Sequence, residues 1–283
     1  MPGAADNGAG VAAILETARA ILAGPPLKND LILFFPDGEE RGLLGAKAYR
    51  DHPWFKETGL LLNLESRGVR GPTYLFETSR GNGWIIPQMA ESGAQTLTSS
   101  VMFEVFSRLP FTTDYHMLRD VIPGMNIAMI GYFPYYHSAN DTPDHLSLNS
   151  LQHHGNYTLN FARHFGTIPL SGPLLASDVT YFNSIGSHLI SYPKILNPFI
   201  SLAVLIFFGY LFTRGCRKNF WTASSAFSGM KSAAIILLFI ALSQGLILFL
   251  IIRYRDIYAL YFDHWFWLLL ASAAGLVFSE AHA

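Results

Sequence analysis

The sequence predicts an α/β domain followed by transmembrane helices. Three observations carry that expectation. Short apolar strand candidates alternate with helical patterns over residues 1–170. Nearly all the acidic groups lie in that same stretch, whereas from about residue 194 the chain is mostly Leu, Ile, Phe and Ala. The mean hydropathy of +0.28 is high for a soluble protein, and the excess comes from that second part.

Val11–Leu22 (VAAILETARAIL) places apolar residues at helical spacing, and Gly24-Pro25-Pro26 stops the helix. Asp30–Phe35 (DLILFF) suits a buried strand. Pro36-Asp37-Gly38 then makes a turn, and a helical pattern resumes over Glu39–Ala48, ending near Tyr49. Leu60–Leu64 (LLLNL) reads as a second strand and Tyr74–Glu77 as a third, with a helix over Gly83–Ser92. Met125–Ile130 (MNIAMI) is a later strand and Leu148–Phe165 a final helix. Such alternation favours a sheet covered on both faces, with ligands gathered beyond the carboxyl ends of its strands.

Behind this domain (1–170) and a connector (171–193), residues 194–283 form the expected membrane domain. Ile195–Phe212 and Ser232–Ile252 contain no charge, and both approach the roughly 20 residues needed to cross a hydrocarbon core. A third span is expected over about 257–278, with Trp265 and Trp267 suited to an aromatic belt. Arg214, Arg217, Lys218 and Lys231 lie between the first two spans, which makes that connection cytoplasmic by the positive-inside tendency. Residues 1–193 are then extracytoplasmic: periplasmic, external or lumenal. No basic and apolar leader follows Met1, so an exported domain implies a segment preceding this chain.

Composition excludes other classes. The formal charge is −1 with no run of Lys or Arg, so nucleic acid is not an expected partner. The single cysteine, Cys216, allows neither an intramolecular disulfide nor a Cys-based zinc cluster, and reads as a small apolar filler.

Four places carry candidate chemistry, each with a plainer alternative. Glu39 and Glu40 are adjacent carboxylates pointing in different directions, suited to binding a metal and facing its water; a solvated first helical turn also favours acids. Glu65 ends a strand, a position for a ligand or for an ion pair with Arg67. Asp6 sits in a Gly-rich turn before a helix, where it or Asn7 could serve as the cap. His137 lies in a loop rich in turn formers, where a lone His is often a surface residue.

Their order is more specific. The succession PGAADNGAGVAAILE, FPDGEERGLLGA, NLESRG and YYHSANDTPD resembles the di-zinc exopeptidase family of secreted bacterial aminopeptidases. Its membrane-anchored branch of vacuolar and endoplasmic-reticulum membranes, a lumenal peptidase domain followed by transmembrane helices, is most similar. The resemblance covers roughly residues 2–165 and implies a three-layer sheet of the zinc exopeptidase type, lacking here its first strands. It implies Asp6 as the carboxylate bridging two zinc ions, Glu40 and His137 as further ligands of the second, and Glu65 as a ligand of the first. Glu39 is implied as general base, Tyr136 as a group holding the oxyanion, and Asp141 as a supporting residue. Asp114 and His116, in TTDYHMLR, fall in a pocket-lining stretch.

The family pattern also has a His in an H-x-D motif about a dozen residues before the bridging Asp. Only five residues precede Asp6 here, none of them His. The chain therefore reads as N-terminally incomplete, with one or fewer tightly bound zinc ions expected. It stops soon after the third apolar run, where membrane-anchored relatives continue. Two functional readings follow: a membrane-anchored exopeptidase acting on peptides, or a non-catalytic membrane protein retaining the peptidase fold.

Overall fold

The chain divides at Leu196 into two units, and the computed structural model describes residues 1–108, 111–218 and individual positions up to 242. In the first unit the elements run α1 (Gly10–Leu22), α2 (Leu44–Tyr49), β1 (Leu61–Ser66), β2 (Arg70–Thr78), α3 (Ile85–Glu91), β3 (Leu97–Thr98), α4 (Ser100–Phe106), α5 (Tyr115–Leu118), β4 (Gly124–Gly131), α6 (Leu148–Thr167), β5 (Val179–Asn183) and β6 (Leu189–Pro193). The first four strands form one mixed sheet in the order β1-β4-β2-β3. β1 runs parallel to β4, β4 antiparallel to β2, and β2 parallel to β3.

Strand alternation sends neighbouring residues to opposite faces, and the core follows that rule. Leu62 and Leu64 of β1 join Leu75, Met125 and Ile127 under α1, α3 and α6, through Ala13, Ile86, Met89, Tyr157 and Phe161. Leu61, one residue before Leu62, instead meets Tyr49, Leu118 and Ile122 on the side of α2 and α5. Both faces are covered, as the alternating pattern predicts. The hairpin β5–β6 lies in the stretch read as a connector. It is tied to the sheet's domain by Asp178, whose Oδ1 accepts from Gly81 N (2.7 Å) and Asn82 N (3.1 Å).

Two expected elements differ. Residues 31–35 are extended but join no ladder, for their backbone groups bond to no other backbone group among the described residues. A strand needs a partner. This one has a side-chain anchor instead: the Phe34 ring lies 4.5 Å from that of Tyr49, while Leu31, Leu33 and Phe35 are exposed. The helix expected from Glu39 begins only at Leu44. Gly42 (φ 108) and Leu43 (φ 61) adopt left-handed conformations that interrupt it, and turns close from Leu43 N to Glu39 O (2.8 Å) and from Leu44 N to Gly38 O (3.2 Å). Glu39 and Glu40 therefore sit on a tight turn and not on a helical first turn.

In the second unit α7 (Asn197–Arg217) is followed by Lys218. Together with its lead-in, Lys194–Arg217 contains an 18-residue stretch with a mean hydropathy of 2.1, and is long and apolar enough to cross a membrane. The expected span 232–252 lies mostly, and 257–278 wholly, outside the described residues.

Candidate metal centre

Asp6 is held by its backbone. Residues Ala4–Ala9 wind toward α1, with Asp6 and Asn7 in non-helical conformations and a cis peptide between them. The Asn7 amide donates to Leu64 O (2.5 Å), and its Oδ1 accepts from Gly10 N (3.2 Å), so Asn7 takes the cap role and leaves the Asp6 carboxylate free for other work. Asp141 fixes the same loop from the other end of the domain. It is buried, its Oδ1 accepts from Ala5 N (2.7 Å), and its Oδ2 accepts from Asp6 N (3.0 Å).

His137 arrives from the loop after β4 in a left-handed conformation (φ 52), its ring stacked on Tyr136 at 3.8 Å. Its Nε2 lies 3.1 Å from Asp6 Oδ2 and 2.6 Å from Glu40 Oε1. Asp6, Glu40 and His137 thus bring three ligand atoms within 4.8 Å of one another. Three distant stretches of sequence meet there.

The other acids are shaped by burial and by each other. Burial pushes the Asp6 carboxyl up to about 6; the His137 ring opposes the rise, and Glu40 and Asp141 add to it. Glu39 is pushed up to about 7 by burial, then by Glu40, Asp114 and Asp6, with Arg67 opposing. Glu65, whose carboxyl is enclosed although the residue as a whole is only half-buried, reaches about 8 through burial. A hydrogen bond from Asn63 lowers it, and the charges of Asp6, Glu39 and Asp114 raise it. Like charges gathered out of water favour protons or a cation between them. Asp114 is buried and pushed up to about 6, and its Oδ1 has no hydrogen-bond partner. Burial likewise pushes the Tyr136 hydroxyl up to about 12, against Arg67, whose guanidinium stands 5.0 Å from the Tyr136 ring centroid and 3.9 Å from that of Phe111.

His116 stands apart from the three-residue cluster. Its Nδ1 accepts from Thr113 N (3.1 Å), and its Nε2 is 3.9 Å from Glu77 Oε1. Sequence reasoning passed over the polar residues beside it: Glu77, fully buried and ion-paired with Arg119, and Asn126 and Asn63, which connect it toward Glu65. One signal was available. An Asn interrupts each of the apolar runs LLLNL and MNIAMI, and a Glu ends TYLFE.

Residues 1–162 match the sequence pattern of Peptidase family M28. The chain belongs to that family. Endoplasmic reticulum metallopeptidase 1 of Mus musculus is 29% identical over 231 residues, covering 77% of this chain and 26% of that protein. The Homo sapiens protein of the same name is 27% identical over 265 residues, 85% of this chain and 29% of that protein. The vacuolar membrane protease of Schizosaccharomyces japonicus is 33% identical over 156 residues, 53% and 18% of the two chains. The chain thus spans under a third of the length of these relatives. Among solved structures it is similar to the LapA aminopeptidase of Legionella pneumophila, with 21% identity, 60% of this chain and 48% of that one covered, and a TM-score of 0.49.

M28 peptidases are in general zinc-dependent. The cluster's own chemistry fits that ion: two carboxylate oxygens and an imidazole nitrogen are donors zinc accepts, and three protein donors leave a position open.

Proposed function

We propose that this chain is the site-bearing part of a membrane-anchored, zinc-dependent exopeptidase that removes N-terminal residues from peptides. The convergence of Asp6, Glu40 and His137 on one point carries the reading. Asp6, Glu40 and His137 would hold one zinc ion, and Asp6 with Glu65 would contribute ligands to another. Bound there, zinc supplies Lewis acidity toward the scissile carbonyl and makes water a nucleophile near neutral pH.

The chain's own groups do the rest. Glu39 takes a proton from the attacking water and returns it to the departing amine, a role that needs a carboxyl titrating near the working pH; its rise to about 7 supports this. Tyr136, beside His137 and steadied by Arg67, donates its hydroxyl toward the carbonyl oxygen as charge develops. Asp141 holds the Asp6 loop still while this happens. The apolar Lys194–Arg217 helix, ending in Arg214 and Arg217, would anchor the domain in a bilayer with residues 1–193 on the extracytoplasmic side.

A second reading, a non-catalytic membrane protein keeping the fold for binding, is favoured by one observation: Glu40 and His137 are exposed, and exposed acidic groups gather without an ion. Zinc content and hydrolysis of aminoacyl-nitroanilides separate the two. Bound zinc with hydrolysis is expected. No zinc and no hydrolysis would defeat the enzyme reading.

A further inference from the structure

Three strands contribute one polar residue each at a shared level of the sheet. Asn63 of β1 pairs in register with Asn126 of β4, and Asn126 with Glu77 of β2. All three lie on the face toward α5, beside the apolar cluster of Tyr49, Leu118 and Ile122, and Asn126 and Glu77 are fully buried. Buried amides are tolerated when their donors and acceptors are matched. Here the matching has a direction. Glu77 is ion-paired with Arg119, and its Oε2 accepts from Asn126 Nδ2 (3.0 Å), whose other hydrogen goes to Thr113 Oγ1 (2.9 Å). With its nitrogen committed, Asn126 presents Oδ1 to Asn63 Nδ2 (3.0 Å). Asn63 must then turn its nitrogen inward, and its second hydrogen reaches Glu65 Oε1 (2.9 Å).

We infer that Glu77, Asn126 and Asn63 are positioning residues for Glu65: the acceptor at Glu77 sets the sense of both amides, so that a donor and not an acceptor faces Glu65. An isolated carboxamide has no preferred sense, because its oxygen and nitrogen ends are nearly the same shape. The charge at one end of the row removes that degeneracy at the other. Glu65 is thereby held by Oε1, while its Oε2 accepts no hydrogen bond among the described residues and remains available to a cation. The value of this arrangement for catalysis rests on the metallopeptidase reading; the relay itself does not.

The test uses the full chain in detergent, with selectively 15N-labelled asparagine, and the variants Glu77→Gln, Asn63→Ala and their combination. The E77Q side chain keeps the shape but can offer its own nitrogen, so both amides lose their fixed sense. In metal-free protein the Asn63 side-chain amide signals should be shifted and slow to exchange in the wild type and collapse toward free-amide behaviour in E77Q, with unchanged far-UV circular dichroism. Unchanged Asn63 signals in E77Q overturn the relay, whatever zinc does. For zinc affinity, measured by chelator competition, E77Q and N63A should each weaken binding on the order of tenfold. The double variant should be no weaker than N63A alone; effects that multiply would mean that Glu77 does not act through Asn63, and would also overturn it. Coupled Asn63 signals in a wild type that binds no zinc would defeat the metallopeptidase reading and leave the relay standing.

Discussion

Replacing Glu65 by glutamine should stabilise the metal-free protein at neutral pH, although it removes an expected ligand. Burial holds the Glu65 carboxyl at about 8 in the folded chain, against an ordinary 4.5. A carboxyl raised on folding binds its proton more tightly in the native state, so its contribution is fully present below pH 4.5 and is lost as pH rises toward 8. From 4.5 to pH 7.5, at roughly 1.4 kcal/mol per pH unit, the wild type gives up about 4 kcal/mol. The E65Q side chain has no proton to lose, and its carbonyl can still accept from Asn63 Nδ2. Urea unfolding in chelator, followed by fluorescence with Trp84 packed against the core, should show E65Q and wild type converging near pH 4.5. They should separate steadily up to pH 8, with the variant the more stable. Saturating zinc should reverse the order. Parallel curves across that range would refute the idea that burial of this carboxylate is a cost the metal relieves.

Asp141→Ala leaves the N–H groups of Ala5 and Asp6 unpaired in a buried loop, for which about 2–4 kcal/mol of lost stability is expected in the same unfolding assay. Glu39→Gln should lower aminoacyl-nitroanilide turnover by roughly 10²–10⁴-fold with zinc content unchanged; loss of zinc together with activity would make Glu39 a ligand. Gly45→Ala places a Cβ 2.7 Å from Asp37 N and from Pro36 Cβ. It should displace the turn bearing Glu39 and Glu40, weakening zinc binding measured by chelator competition more than it lowers the melting temperature.

The strands and long helices were legible because burial on one or both faces writes itself into composition. LLLNL, MNIAMI and the helix from Leu148 appear within a residue or two of where the periodicity puts them. Residues 31–35 have the same composition without a ladder, because hydrogen-bond pairing is a property of neighbours and not of a segment. The Glu39–Ala48 helix failed in its first turn for a reason sequence conceals: a leucine, not a glycine, takes one of the two left-handed conformations. At the site, residue type and order singled out Asp6, Glu40 and His137, while the row from Glu77 to Asn63 stayed hidden. Each of its members looks like a flaw in an apolar strand until β1, β4 and β2 are laid side by side.

The tie between Asp141 and the backbone of Ala5 and Asp6 spans 136 and 135 residues of sequence. Contacts of such separation close the largest loops and are entropically the last to be rewarded as a chain organises. The cluster of Asp6, Glu40 and His137 therefore cannot exist in a half-built domain: it comes into being when the two ends of residues 4–141 meet. Were zinc to bind there, its affinity would double as a measure of whether the domain has been completed, and the ion would stabilise only chains that have reached that point.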